Sequence, residues 1–107
     1  VTLPLETPTG SSTLTLTFDP TEVHGSLELL SFDSAAQLER SMEELLIIVA
    51  RGAVLVENRH RLNGLDVMVL EGDDPISVAV EPEHEAGASA AIARISHVDG
   101  TRIAWVP

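Results

Sequence analysis

Asn63-Gly64 stands between two segments of alternating apolar and polar residues, and it constrains the fold more than any other feature of this chain. A two-residue turn of type I′ needs positive φ at both central positions, which Asn and Gly tolerate, and its twist suits two antiparallel strands. Strands are therefore expected over residues 53–62 and 65–71. Such a turn sets the register as Leu62 against Leu65, Arg61 against Asp66 and His60 against Val67. One face then carries Val54, Val56, Leu62, Leu65, Val67 and Val69, and Asn58 and His60 fall among them. A polar pair on an apolar face must find hydrogen-bond partners or line a cavity. Asn58 and His60 thus form a candidate pocket, with His60 as its acid–base or ligand group.

Other strands announce themselves by the same alternation. Thr13-Leu14-Thr15-Leu16-Thr17-Phe18 places its large apolar side chains on one side and its threonines on the other. Asp19-Pro20-Thr21-Glu22 reads as the turn that ends it. Further strands are expected over residues 26–32 and 76–80. A second hairpin centred on Asp99-Gly100 would pair Val98 with Thr101 and Arg94 with Trp105.

Residues 34–51 read differently. Ser34-Ala35-Ala36-Gln37 matches a capping box, and Ala35, Leu38, Met42, Leu45 and Val49 recur at helical spacing. Arg51 and Gly52 suit a helix C-terminus. The fold class expected is α+β, an antiparallel sheet of six to seven strands with one main helix over residues 34–51 across one face. Residues 1–12, with Pro4, Pro8 and Gly10, read as an N-terminal arm or edge segment, and residues 13–107 as a single α+β domain.

At 107 residues there is room for one core. Seventeen acidic residues face six basic ones, all arginine, for a formal charge of −11. That balance argues against nucleic acid, whose phosphates need Lys and Arg to displace counterions, and against anionic membrane surfaces. It permits a basic protein partner. The absence of cysteine removes thiolate nucleophiles and zinc–thiolate centres. The first residues lack the basic and apolar regions of a signal peptide, so a cytoplasmic location is expected.

Few catalytic templates find a match. The sequence has no Gly-rich phosphate loop, no Gly-x-Ser-x-Gly elbow and no His-Glu-x-x-His, and no cofactor or metal is implied. Two surfaces invite a partner instead. Glu81, Glu83, His84 and Glu85 belong to a stretch holding six carboxylates in fifteen residues, from Glu71 to Glu85, with no Lys or Arg among them. Arg94, Ile103 and Trp105 make an amphipathic patch of the kind enriched at interfaces. The face opposite that patch is also apolar, which points to a homodimer or a bound protein. The leading expectation is a non-enzymatic binding or regulatory domain acting through protein–protein contacts. Its rivals are a small-molecule or catalytic domain with its pocket near His60, and a structural homo-oligomer subunit.

Overall fold

The computed structural model describes residues 2–7, 10–41 and 43–97. Ten strands order them, with no helix among the described residues: β1 (Thr2–Thr7), β2 (Gly10–Thr15), β3 (Val23–Phe32), β4 (Ala36–Glu39), β5 (Glu44–Arg51), β6 (Val54–Val56), β7 (His60–Leu62), β8 (Val67–Leu70), β9 (Ser77–Pro82) and β10 (Ala88–His97). The pairing is nested. β3 pairs with β10, β4 with β9, β5 with β8 and β6 with β7, all antiparallel. Ladders between β5 and β10 and between β6 and β9 complete two four-stranded sheets, ordered β3-β10-β5-β8 and β4-β9-β6-β7. This is the strand order of a double-sheet jelly roll, a long hairpin folded over on itself. β1 and β2 form a separate ribbon.

The antiparallel pairing agrees with the sequence reading, but the α+β class does not: the domain is all-β. Residues 34–51 form β4 and β5 instead of a helix. The reason lies in how β5 is covered. Leu45, Ile47 and Val49 enter the core between the sheets, while Ile48 and Ala50 meet the ribbon on the other side. A strand covered on both faces reads as an unbroken apolar run, and periodicity alone does not separate it from a buried helix. Three consecutive Cβ-branched residues, Ile47, Ile48 and Val49, favour the extended form. Gln37 does not cap a helix; its Nε2 donates to Ser77 Oγ at 2.8 Å across the β4–β9 pair.

The expected hairpin at Asn63-Gly64 is also corrected. β7 pairs with β6 in one sheet and β8 with β5 in the other, so residues 63–66 carry the chain between sheets. His60 lies against Val56 rather than Val67. The hairpin turn is Glu57-Asn58, where φ is 54° and 55°, the pair of positive values a type I′ turn requires. Glu57 is held there by two bonds to Ala79: its N–H donates to Ala79 O, and its Oε1 accepts from Ala79 N, both at 2.8 Å. The turn after Asp19 forms, with Asp19 O accepting from Glu22 N and Val23 N, but the strand expected over residues 13–18 ends at Thr15, in β2.

Leu45, Ile47, Val49, Val54, Val56, Val78, Val80 and Ile92 fill the space between the sheets, each under 2% exposed. β10 is buried on both faces from Ala88 to Ala93. Ala91 and Ala50 lie beneath Leu5, with Leu3, Leu14, Leu27 and Ile48 around them. The N-terminal ribbon thus covers much of the second apolar face from within the chain. The expected pairing of Arg94 with Trp105 is corrected: β10 has β3 on one edge and β5 on the other, so Arg94 lies against Ser26 and Leu45, while Asp99-Gly100, Ile103 and Trp105 lie outside the described residues.

The two ends of the roll are built by different means. At one end the crossings at 33–35, 52–53 and 83–87 lie against one another. Gly52 and Gly87 have φ of 78° and 82°. A Cβ on Gly52 would sit 2.8 Å from Gly87 O, and one on Gly87 would sit 2.9 Å from Phe32 O. At the other end the Arg40 guanidinium, in a residue 7% exposed, ties the β4–β5 crossing to the β8–β9 crossing. Its Nε donates to Pro75 O (3.2 Å), its Nη1 to Glu43 O (3.3 Å), and its Nη2 to Gly72 O (3.0 Å) and Asp74 O (2.5 Å).

Gly52→Ala combines left-handed strain with a backbone clash, and is expected to lower stability by about 2–4 kcal/mol in urea unfolding. Arg40→Met removes the shared donor of four part-buried carbonyl bonds and is expected to cost about 1–3 kcal/mol by the same measurement. Arg40→Lys is expected to recover only part of that loss, because an ammonium lacks the planar fork.

Candidate functional site

β8 ends its sheet. Among the described residues it pairs with β5 alone, so its second backbone edge offers N–H and C=O groups to another strand. Side-chain alternation decides what surrounds that edge. Leu70 and Met68 turn into the core, which sends Val67 and Val69 outward. Val67 is 51% exposed, Val69 37%, and Leu65 just before them 62%. Val69 lies beside Leu46 and Val67 beside Ile48 in the β5–β8 register. The strip therefore continues the apolar outer face of the sheet past the part lying under the ribbon.

Carboxylates border this strip at both ends. Asp66 precedes β8, and its Oδ2 accepts from Asn63 N at 2.8 Å. Glu71, Asp73 and Asp74 follow it, and Asp74 Oδ2 accepts from Glu71 N at 2.9 Å. Arg40 binds the backbone of this second group through Gly72 O and Asp74 O, which fixes the loop that carries the acids.

The residues singled out in the sequence fall into separate places. Glu81 is half-buried opposite Leu55 in the β6–β9 ladder. Glu83 Oε2 lies 2.6 Å from Arg61 Nε and 3.8 Å from Nε2 of the exposed His84. Glu85 is exposed. The acidic stretch is thus partly neutralised by an arginine from β7, a pairing hidden by the 22-residue separation. Among the described residues no group of three or more His, Asp or Glu is placed to hold a metal ion. Asn58 and His60 are both exposed, at the tip of the β6–β7 hairpin. Ile103 and Trp105 lie outside the described residues.

Arg94 forms a second polar feature. Ser26 and Leu45 are its neighbours in the ladders of β10. Its Nη1 donates to Glu39 O at 2.6 Å and lies 3.7 Å from Glu43 Oε2. Arg94 and Glu43 line, with His24, Gly25, Ser26 and Ser96, an open concavity of about 200 Å³. Partial burial alone would raise the Glu43 carboxyl. Hydrogen bonds from Ser41 N, from its own N–H and from Ser41 Oγ, with the Arg94 cation, outweigh that effect and hold the group below its ordinary value.

Leu65 is exposed in the crossing between the sheets and not on the face of a hairpin opposite Leu62, and Arg40 closes a crossing that the helix expected over residues 34–51 conceals. No protein-family model, curated protein or solved structure matches this chain, which leaves geometry to carry the functional reading.

Because its folded-state value is lowered, ionised Glu43 stabilises the fold above the ordinary glutamate range. That contribution fades as pH falls through the lowered value. Glu43→Gln is expected to be less stable than the parent protein at neutral pH, and the two unfolding midpoints are expected to converge on acidification. A gap that stays constant with pH would remove the carboxylate from the account.

Proposed function

We propose that this chain is a non-enzymatic binding or regulatory domain that acts through protein–protein contacts, with β8 and its flanking residues as the docking surface. The observation that supports this reading is the pair of exposed apolar side chains Val67 and Val69 on a sheet-edge strand, with the exposed Leu65 in the turn that leads into it. An apolar strip bordered by polar groups on an otherwise strongly acidic chain marks an interaction site better than it suits a solvated surface. An open edge supplies backbone hydrogen bonds, and alternate side chains supply selectivity, when an extended segment of a partner adds to the sheet.

Charge narrows the partner. Asp66 at one end and Glu71, Asp73 and Asp74 at the other would repel an acidic strand and speed the approach of a basic one. Two copies of this chain joined antiparallel through β8 would bring Asp66 of each toward Glu71 of the other, where like charges opposite one another destabilise. A heterologous basic segment fits better than a second copy.

The test compares the parent protein with a Val67→Lys, Val69→Lys double variant whose fold is checked by circular dichroism. Both substitutions fall on exposed positions, so the fold is expected to survive. Partners cross-linked to the parent protein are identified, purified and titrated against both proteins at low and high salt. Affinity is expected to fall at least roughly tenfold in the variant, the loss of one buried apolar anchor, and to weaken with salt. Equal binding by both proteins would exclude the strip. A salt-insensitive dimer of the parent protein, lost in the variant, would assign it to self-association.

A further inference from the structure

Asn63-Gly64 is the most specific dipeptide in the sequence, yet the hairpin it advertises is made elsewhere. In the turn from residue 63 to 66 the left-handed conformation falls on Leu65, at φ 68°, and Gly64 is not among the residues of positive φ. Nothing lies within 4 Å of where a Gly64 Cβ would stand. Neither backbone conformation nor space therefore requires glycine at this position. What its bare Cα leaves open is chemistry: a backbone nitrogen unshielded by a side chain, directly after an asparagine amide.

We propose that Asn63-Gly64 is a self-modification site, at which the folded protein converts Asn63 to aspartyl and isoaspartyl forms without an enzyme. Both residues are exposed. Asn63 engages its neighbours through its backbone, N–H to Asp66 Oδ2 at 2.8 Å and C=O from Asp66 N at 2.9 Å. Among the described residues no hydrogen bond holds its side-chain amide or the Gly64 N–H. The Gly64 nitrogen attacks Asn63 Cγ. The new N–Cγ bond closes a succinimide, the Cγ–Nδ2 bond breaks, and ammonia leaves with the proton given up by the Gly64 nitrogen. Water then opens the ring at either carbonyl. Opening at one returns the normal backbone as aspartate; opening at the other routes the chain through the side-chain carbon as isoaspartate. Water is the only co-reactant, and nothing is oxidised or reduced.

The site is placed where such a change is felt. Leu65 N donates to Val49 O at 2.6 Å and Val49 N to Asp66 O at 3.1 Å, so this turn is stitched to the central strand β5. A new carboxylate arises beside Asp66, and an isoaspartyl link lengthens the backbone just before Leu65 and Val67. The chemistry stands whether or not β8 binds a partner; an effect on docking would rest on the function proposed above.

The intact folded protein is incubated at mildly alkaline and at mildly acidic pH, then cleaved after arginine and analysed by fragmentation that separates aspartate from isoaspartate. Asn63 falls in the peptide from Leu62 to Arg94, and Asn58, followed by the bulky Arg59, serves as the internal control. The amide-to-acid mass shift is expected at Asn63, faster in alkali, with isoaspartate present. Asn63→Gln is expected to abolish it, and Gly64→Ala to slow it roughly tenfold because a Cβ obstructs the attack. The urea-unfolded chain supplies the reference rate. Conversion in the unfolded chain with none in the folded protein would overturn the proposal, as would equal rates at Asn63 and Asn58.

Discussion

The buried Arg40 guanidinium holds the roll closed at one end. Four backbone carbonyls from two crossings converge on it, so a single planar group with five donors fixes the return of β4 into β5 and of β8 into β9. Crossing segments in a folded hairpin leave the sheets and lose their ladder partners, and their carbonyls must be met by something else. Arginine does this at long reach with one cation. Among the described residues the opposite end has no equivalent side chain. There the crossings meet backbone to backbone, and Gly52 and Gly87 allow the approach by having nothing to place between them. One corner is held by a side chain and the other by the lack of one.

Between these ends the fold is governed by which faces need cover. The interior between the sheets is filled by branched aliphatics. The outer face of the β3-β10-β5-β8 sheet is apolar too, and the small residues Ala91 and Ala50 let Leu5 of the ribbon settle onto it. That cover stops short of β8, where Val67 and Val69 remain outside. The Arg61–Glu83 pair, by contrast, is half in water on the arginine side, and pairs of that kind contribute little to stability.

Some of the strands and one turn were legible in the sequence, but the fold class was not. Residues 26–32, whose alternation is untidy, fall within β3, the alternating run at 76–80 overlaps β9, and the turn at Asp19 falls where its residue types place it. The helix failed for a definable reason: β5 has no polar face to reveal its period. The hairpin failed because a turn dipeptide specifies local geometry, whereas the choice between pairing β8 with β7 or with β5 depends on burying Met68 and Leu70 against both sheets. Arg61 and Glu83 meet only because β9 lies beyond β6, a neighbourhood written in topology rather than spacing. His60 lies opposite a valine in either register, Val56 in place of Val67, but at the tip of the β6–β7 hairpin it is exposed and not enclosed in a pocket with Asn58. The acidic character around Glu71 to Asp74 was visible as composition, but its link to an apolar edge strand needed the fold.

Nesting also dictates an order of events. β6 and β7 are joined by the residues from Glu57 to Arg59 and can meet early, whereas β3 and β10 are the first and last strands of the eight and pair over their whole length. Closing the outermost pair costs the most chain entropy and comes after the inner ones have shortened the path. In a chain emerging from the ribosome, β3 waits with Leu27, Leu29, Leu30 and Phe32 uncovered until nearly everything else has been made. The excess of negative charge then acts on the nascent chain, keeping unfinished copies apart during the interval in which this strand has no partner.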